Sequence, residues 1–212
     1  MRVGVVNEVS ARARNDVLMR AVQATGNVCV NLGMSVSGEE PELTYIHTGL
    51  MAALAIELDI VDFVVGGCGT GQGFLNSVMA YPGIVCGHIR SPLDAVLFTR
   101  INAGNCISLA LNQGFGWGSE LDIELTVRAL LSTPRGSGYP AERSAPQAES
   151  REHLKAVSAA THRELGEILG RLAPAIVDRA TRFPRFRSAV RSCPQAASQL
   201  ARAVLAEPFD RD

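Results

Sequence analysis

Residues 64–73 read Val64-Val65-Gly66-Gly67-Cys68-Gly69-Thr70-Gly71-Gln72-Gly73, an apolar run that passes directly into a glycine-rich segment. The apolar run suits a strand covered on both faces, and the glycines predict a tight turn that leads into a helix. In a parallel sheet such a turn lies at the carboxyl edge of the strands, where ligands bind. This segment therefore indicates both a fold class and a place for a functional site.

Similar apolar runs occur at four other places, and helix-length segments separate them. Strands are predicted at residues 3–6, 28–32, 60–65, 83–89 and 105–111. Helices are predicted at residues 11–25, 42–58, 73–81, 91–101 and 119–131. Such alternation is typical of a parallel sheet with helices on both faces. We therefore predict an α/β fold, a three-layer α/β/α Rossmann-like sandwich with a five-stranded parallel sheet.

The pattern changes after the fifth predicted helix. Residues 132–147 are rich in Ser, Pro and Gly, a composition typical of a linker. Helical periodicity returns at about residue 149 and predicts two or three helices up to Glu207, with breaks at Pro174, Pro184 and Pro194. We divide the chain into an α/β domain, residues 1–143, and a C-terminal helical extension, residues 144–212.

The composition excludes several classes of protein. The chain has 212 residues, 47% of them hydrophobic, which is enough for a substantial core. Its net charge of −1 provides no field that would attract nucleic acid or anionic lipid. The best apolar stretch, residues 51–67, is interrupted by Glu57, Asp59 and Asp62. We expect no nucleic-acid partner and no membrane partner.

Five cysteines are present: Cys29, Cys68, Cys86, Cys106 and Cys193. Their number is odd, their spacing is wide, and most lie in apolar runs, which is typical of a reducing compartment rather than of a disulfide framework. The first residues lead directly into a predicted strand, without the basic segment of a secretory signal. The sequence thus predicts a cytoplasmic location.

Cys68 is the residue of the glycine-rich segment that could carry chemistry. The glycines let backbone N–H groups approach an oxyanion or a phosphate, and the start of a helix adds positive partial charge that favours a thiolate. A structural interpretation remains open, because a cysteine after a parallel strand is often a small buried hydrophobe. A nucleotide site is less favoured, because no glycine has partners at both +2 and +5 and no Gly-Lys-Ser/Thr occurs.

At this point the sequence resembles the type-B ribose-5-phosphate isomerases and their galactose-6-phosphate isomerase relatives. The matching positions are Gly67 to Gly73, Pro82-Gly83-Ile84, Ser91-Pro92 with Ala95, Asn102 and Asn105, with Tyr45 and His47 at the second helix. The resemblance covers roughly residues 1–143, and the Cys-Gly-Thr-Gly loop is its most specific element.

The resemblance implies an aldose–ketose isomerisation of a sugar phosphate, through an enediolate. By position, Cys68 would be the base and Thr70 would assist ring opening, whereas Asn102 would bind sugar hydroxyls. The loop backbone would stabilise the enediolate oxygens. Substrate contacts are assigned by the same resemblance to Asn7, Glu8, Gly69, Gly71, Gln72, Gly73, Asn102 and Arg143. It calls for no metal and no redox cofactor, and implies a homodimer or dimer of dimers whose active site includes partner residues.

Several positions depart from the family pattern. Asn7-Glu8 stands where the family has Asp-His, and Ile101 stands where it has its ring-opening histidine. Asn112 replaces an arginine, and of the C-terminal phosphate-binding arginines only Arg143 is in place, with Arg135 nearby. The base and the loop are kept while the acid and the phosphate contacts are altered, so we expect a changed substrate.

Two further interpretations remain open. A sugar-phosphate sensor or partner subunit without activity would keep the fold and lose the acid–base set, although it would not need the thiol. The basic run from Arg182 to Arg191 is interpreted as a solvated face, or else as a replacement for the missing phosphate contacts. His88, on the fourth predicted strand, is interpreted as a core residue, and the four histidines lack metal-ligand spacing.

Overall fold

The structure is a computed structural model that describes residues 1–35 and 40–206. Its centre is a sheet of five parallel strands in the order β2-β1-β3-β5-β4. The strands are β1 Arg2–Asn7, β2 Val28–Asn31, β3 Phe63–Cys68, β4 Cys86–Ile89 and β5 Cys106–Ala110. The predicted five-stranded parallel sheet is confirmed.

Five α-helices connect or follow these strands. They are α1 Asn15–Gln23, α2 Tyr45–Glu57, α3 Gln72–Val78, α4 Pro92–Leu97 and α5 Ser119–Ser132. Two short turns extend the set: a 3₁₀ turn at Val9–Arg14 precedes α1, and a π turn at Phe98–Asn102 follows α4. The helices predicted at 11–25 and 91–101 are therefore each two elements of different winding.

The strands bury side chains on both faces. On β1, Val6 belongs to a cluster with α2 and α3, whereas Val3 and Val5 belong to a second cluster with α1, α4 and α5. Successive residues of a strand point to opposite faces, and each face is covered by helices. The arrangement is the predicted three-layer α/β/α sandwich, with α2 and α3 on one face of the sheet and α1, α4 and α5 on the other.

Strand β3 continues three residues beyond its predicted end at Val65. Gly66 and Gly67 both lie within the strand, and both positions need glycine because neighbouring groups occupy the space of a side chain. A Cβ at Gly66 would lie 2.3 Å from the Phe74 ring, and one at Gly67 would lie 2.4 Å from the carbonyl oxygen of Leu109. Two of the glycines from which a turn was predicted, Gly66 and Gly67, are thus needed for close packing within the sheet.

The C-terminal extension contains more helices than the two or three predicted. They are α6 Ser144–Thr161, α7 Leu165–Arg171, α8 Pro174–Arg182, α9 Pro184–Arg191 and α10 Gln199–Leu205. Pro174 and Pro184 each occupy the first turn of a helix, where the missing N–H costs nothing. Residues 207–212, the last part of the predicted extension, lie outside the described residues.

The extension packs on the α2 side of the sheet. Helix α8 contacts α2, and the fully buried rings of Phe183 and Phe186 join the same apolar cluster as Val6. Helix α6 differs, because none of its side chains is buried in this chain. Of the helices in the described part of the chain, none is both long and apolar enough to cross a membrane.

Candidate active site

Cys68 ends the central strand and lies at the carboxyl edge of the sheet. It pairs with Ala110 of β5, and the preceding residue, Gly67, pairs with Asn7 of β1. The Cys68 side chain is 5% exposed and belongs to the apolar cluster on the α2 and α3 side. The thiol is therefore placed at the point where three strands end together.

The turn after Cys68 has a geometry that only glycine allows at position 71. Gly71 adopts a left-handed φ of 74°, and its N–H donates to the Cys68 carbonyl at 3.3 Å. A Cβ at Gly71 would lie 2.7 Å from Nε2 of His88. Ser108 Oγ also donates to the Gly71 carbonyl at 2.6 Å. The floor of the loop is thus formed by His88 and Ser108 from two neighbouring strands.

His88 is not a fully satisfied core residue. Its Nδ1 lies 3.3 Å from Nε2 of Gln72, so the ring contacts the loop from below. Its Nε2 is buried and has no hydrogen-bond partner within residues 1–35 and 40–206. The interpretation of His88 as an ordinary core histidine is therefore incomplete, because the ring also supports Gly71 and Gln72.

Gly69 is attached to the segments that follow β1 and β5. Its N–H donates to Ser10 Oγ at 3.2 Å, and its carbonyl accepts from the Asn112 N–H at 3.0 Å. Asn112 Nδ2 donates to the Ser10 carbonyl at 2.8 Å. Ser10 and Asn112 thus close a ring of hydrogen bonds around Gly69 and fix this residue from outside the loop.

Three loop amides already have acceptors within the chain. Gly69 donates to Ser10 Oγ, Gly71 to the Cys68 carbonyl, and the N–H of Gln72 to Thr70 Oγ1 at 3.4 Å. An incoming oxyanion must therefore share these donors or displace the groups that hold them. These hydrogen bonds hold the loop in place without a ligand, and they leave the three N–H groups already bonded.

Asn7 and Glu8 have different environments. Asn7 is fully buried; its Nδ2 donates to the carbonyls of Ala11 and Met34, and its Oδ1 accepts from Asn15 Nδ2 at 2.7 Å. Its amide is therefore fully used in holding the chain. Glu8 is 5% exposed and accepts hydrogen bonds from the N–H and Oγ of Ser10.

The start of α2 lies against the same loop. A Cβ at Gly73 would lie 2.9 Å from the Tyr45 ring, so this aromatic side chain packs directly on the loop. His47 Nδ1 accepts from the Thr44 N–H at 2.9 Å and completes a capping box. Burial lowers the pKa of His47, and the nearby charge of Arg179 lowers it further. Both effects favour the neutral ring, which acts here as a helix cap.

Asn102 and Arg143 lie on the opposite edge of the sheet from Cys68. Asn102 ends the π turn that precedes β5, and the neighbouring Arg100 carbonyl accepts from the N–H of Gly138 at 2.9 Å. Gly138 packs on Ser144, the residue after Arg143. Since β5 has five residues, the two edges are on the order of 15 Å apart. One subunit therefore does not bring these residues to Cys68.

The arginines considered as phosphate contacts are divided between the edges. Arg135 donates to the carbonyls of Ala103 and Gly104 at 3.0 and 2.9 Å, which places it at the amino edge. Arg185 donates to Ser35 Oγ at 2.6 Å, just beyond the end of β2 at the carboxyl edge. The extension thus brings part of its basic run to the carboxyl edge, where Cys68 lies, whereas Arg135 is held at the amino edge.

A cleft of about 500 Å³ opens at the carboxyl end of β5. Ala110, which pairs with Cys68, forms one side, and the loop before α5 forms another through Phe115 and the exposed Trp117. The guanidinium of Arg14 stacks on the Phe115 ring, with Cζ 3.5 Å from the ring centre. The sequence analysis missed Ser10, Arg14 and Phe115, because their contacts join distant segments.

Comparison with known proteins gives the family. The sequence profile of the ribose/galactose isomerase family matches residues 3–137, more than half of the chain. The chain belongs to this family. Curated protein sequences gave no significant match. Membership of this family supports a sugar isomerase.

Solved structures of ribose/galactose isomerases extend the similarity to the C-terminal helices. A ribose-5-phosphate isomerase from Vibrio parahaemolyticus is 37% identical with a TM-score of 0.91, covering 96% of this chain and 97% of its own. A 4-deoxy-L-threo-5-hexosulose-uronate ketol-isomerase, solved with a tartrate, is 31% identical with a TM-score of 0.90, covering 97% and 99%. A type B ribose 5-phosphate isomerase from Trypanosoma cruzi, 20% identical over 76% of this chain and 98% of its own with a TM-score of 0.65, shows the fold alone.

The packing of Gly71 on His88 can be measured separately from backbone strain. Gly71→Ala should lower the free energy of unfolding by about 2–5 kcal/mol, because it adds both a left-handed alanine and a clash with His88. Gly83→Ala is the matched control, since Gly83 has φ 71° and no atom within 4 Å of its Cβ position. It should cost only the strain, about 1–2 kcal/mol. Equal losses in urea denaturation would show that His88 does not limit position 71.

Proposed function

We propose that this isomerase interconverts an aldose and a ketose, with Cys68 as the base. The reaction is of the type that ribose-5-phosphate or galactose-6-phosphate isomerases catalyse. The observation that carries the proposal is the position of Cys68: a thiol at the end of the central strand, followed by the glycine-rich loop that is fixed by Ser10, Asn112 and His88. A base and the donors for the charge it creates are thus adjacent in the chain.

The reaction needs one proton to move between neighbouring carbons. The Cys68 thiolate removes the proton from C2 of the open-chain aldose, and the electron pair moves to the carbonyl oxygen on C1, which gives an enediolate. The thiol then returns a proton to C1. The hydroxyl on C2 gives up its proton and becomes the ketone, and the oxygen on C1 takes up a proton and becomes a hydroxyl. Backbone N–H groups of Gly69, Gly71, Gln72 and Gly73 stabilise the enediolate oxygens, with Thr70 assisting ring opening. For Gly69, Gly71 and Gln72 this requires that the oxyanion share or replace the acceptors that these groups have within the chain.

Two residues of the proposed site must come from a second subunit. Asn102 and Arg143 lie at the amino edge, a strand length away from Cys68 in the same chain. Helix α6, adjacent to Arg143, has no buried side chain, and Leu154 and Val157 on it are exposed. A homodimer or a dimer of dimers in which α6 is covered would carry the amino edge of one subunit to the Cys68 loop of another.

The names of two relatives indicate two different anionic groups on the sugar, a phosphate and a carboxylate. The Vibrio parahaemolyticus relative is named for a sugar phosphate, and the uronate ketol-isomerase is named for a sugar acid. The isomerisation step is the same for both, because the reacting carbons lie away from the anionic end. Within the described residues all five cysteines are free, which favours a reducing compartment such as the cytoplasm.

The alternative is a sugar-binding subunit without activity. Ile101 and Asn112 favour it, because neither can transfer a proton in the place of a histidine or contact a phosphate as an arginine does. The buried thiol and the ordered loop favour the enzyme, since binding alone requires no base. Activity at Cys68 decides between the two.

Removal of the thiol tests the proposed base. Cys68→Ala should reduce exchange of solvent deuterium into C2 of the substrate by at least about 10³-fold, because the base is lost while little volume changes. Cys86→Ala is the matched control, because Cys86 begins β4 at the amino edge of the sheet. This variant should retain the parental exchange rate. Mass spectrometry of the sugar measures the exchange, and circular dichroism checks the fold. Substantial exchange by folded Cys68→Ala would assign the base elsewhere.

Mixing of two inactive variants tests the shared site. Cys68→Ala and Asn102→Ala should each be nearly inactive, whereas dimers refolded from an equal mixture should regain about a quarter of parental activity. Half of the dimers are then mixed, and each mixed dimer has one site with both residues intact. If Asn102 and Cys68 of the same subunit worked together, every site would carry a defect and the mixture would stay inactive.

A further inference from the structure

Glu8 places a negative charge beside the loop that would receive an anionic sugar. Its carboxylate accepts hydrogen bonds from the N–H and Oγ of Ser10, and Ser10 Oγ accepts from the Gly69 N–H at 3.2 Å. A single serine thus separates the carboxylate from the loop backbone. Because Glu8 is only 5% exposed, water screens its charge poorly, and a doubly charged phosphate at this end of the loop is repelled.

Asn112 adds no positive charge to offset Glu8. Its side-chain amide donates to the Ser10 carbonyl and its N–H donates to the Gly69 carbonyl, so it acts as part of the loop support. Arg135 is held at the amino edge by two carbonyls. A phosphate dianion requires bidentate or paired arginines, and this chain offers no such pair from β5 or the linker in the described residues next to Gly69.

Arg14 is one of two arginines on the segment that follows β1, and the other, Arg12, pairs with Glu42 at 3.8 Å. Its guanidinium lies flat on Phe115, with Cζ 3.5 Å from the ring centre, and Phe115 lines the cleft that begins at Ala110. Arg14 Nε is buried without a hydrogen-bond acceptor among the residues the structure describes. Stacking fixes the plane of the guanidinium, and a planar carboxylate can pair with a guanidinium in that plane.

The charged groups beside the cleft and the loop do not favour a dianion. Arg90 and Asp122 line the cleft with opposite signs. Glu8 adds a carboxylate beside the loop, and Arg14 adds a guanidinium at the Phe115 wall of the cleft. Arg185 bonds to Ser35 at the β2 end of the sheet, away from this cleft. The four groups at the cleft and the loop therefore carry no excess positive charge, which matches a singly charged carboxylate better than a phosphate dianion.

We propose that the substrate is an unphosphorylated sugar acid whose carboxylate pairs with Arg14, and that Glu8 excludes phosphorylated sugars. This inference rests on the proposed isomerase function. Arg14 is then a residue that determines specificity and contacts the end of the sugar remote from Cys68. Glu8 acts through Ser10 and the charge it places beside Gly69.

Substrate comparison tests the inference in the full-length protein. Solvent deuterium exchange would be measured with D-glucuronate, D-galacturonate and 4-deoxy-L-threo-5-hexosulose uronate, and with ribose 5-phosphate and galactose 6-phosphate. At least one uronate should have a kcat/KM more than about tenfold above both phosphates. Arg14→Gln should raise the KM of that uronate about tenfold while kcat changes less. Arg20→Gln, on the exposed side of α1 where Arg20 pairs with Glu120, is the matched control and should leave both constants at parental values.

Binding measurements keep the test independent of turnover. In calorimetry the parent should bind D-gluconate, a monocarboxylate that cannot be isomerised, more tightly than inorganic phosphate, and Arg14→Gln should weaken gluconate binding. Glu8→Gln retains a hydrogen-bond acceptor for Ser10 and should strengthen phosphate binding by about tenfold. Absence of turnover of every sugar would defeat the proposed function alone, and the gluconate result would still decide the inference. Preference of the parent for a sugar phosphate, or gluconate binding that does not depend on Arg14, would overturn the inference.

Discussion

The hydrogen bond from the Gly69 N–H to Ser10 Oγ connects the loop after β3 to the segment after β1. Asn112 extends the connection to the segment after β5 through its bond to the Ser10 carbonyl. Three parallel strands thus end in one hydrogen-bonded group, and the loop after Cys68 is positioned by residues outside itself. Such support is what a reactive thiol and its donors require, because small displacements of either weaken transition-state stabilisation.

The same arrangement determines how charge is distributed at the carboxyl edge. Ser10, which accepts from Gly69, also donates its N–H and Oγ to Glu8, so the support of the loop has a buried carboxylate beside it. The resemblance places a histidine of the family at the position of Glu8. Under the proposed function, this exchange changes the charge beside the loop and leaves Cys68 in place, so reaction type and substrate choice would depend on different residues.

The sequence predicted the sheet and the Cys68 loop, because continuous apolar runs and a glycine-rich turn are local signals. It did not predict how the loop is held, since the bonds of Ser10 to Gly69 and of Asn112 to Ser10 join residues 59 and 102 positions apart. The helices of the extension were underestimated because a proline at the first turn begins a helix as readily as it breaks one. The distance of Asn102 from Cys68 within one chain follows from the parallel sheet, because Asn102 precedes strand β5 whereas Cys68 ends strand β3.

A crystal structure of the assembled protein with a bound sugar acid or with tartrate tests the central claim most directly. That claim is that the Cys68 loop of one subunit and the amino edge of another form the active site. The account predicts ligand carbon within about 4 Å of Cys68 Sγ, its carboxylate paired with Arg14, and Asn102 supplied by a second subunit. A ligand bound away from Cys68, or an assembly in which no Asn102 approaches a Cys68 loop, would contradict it.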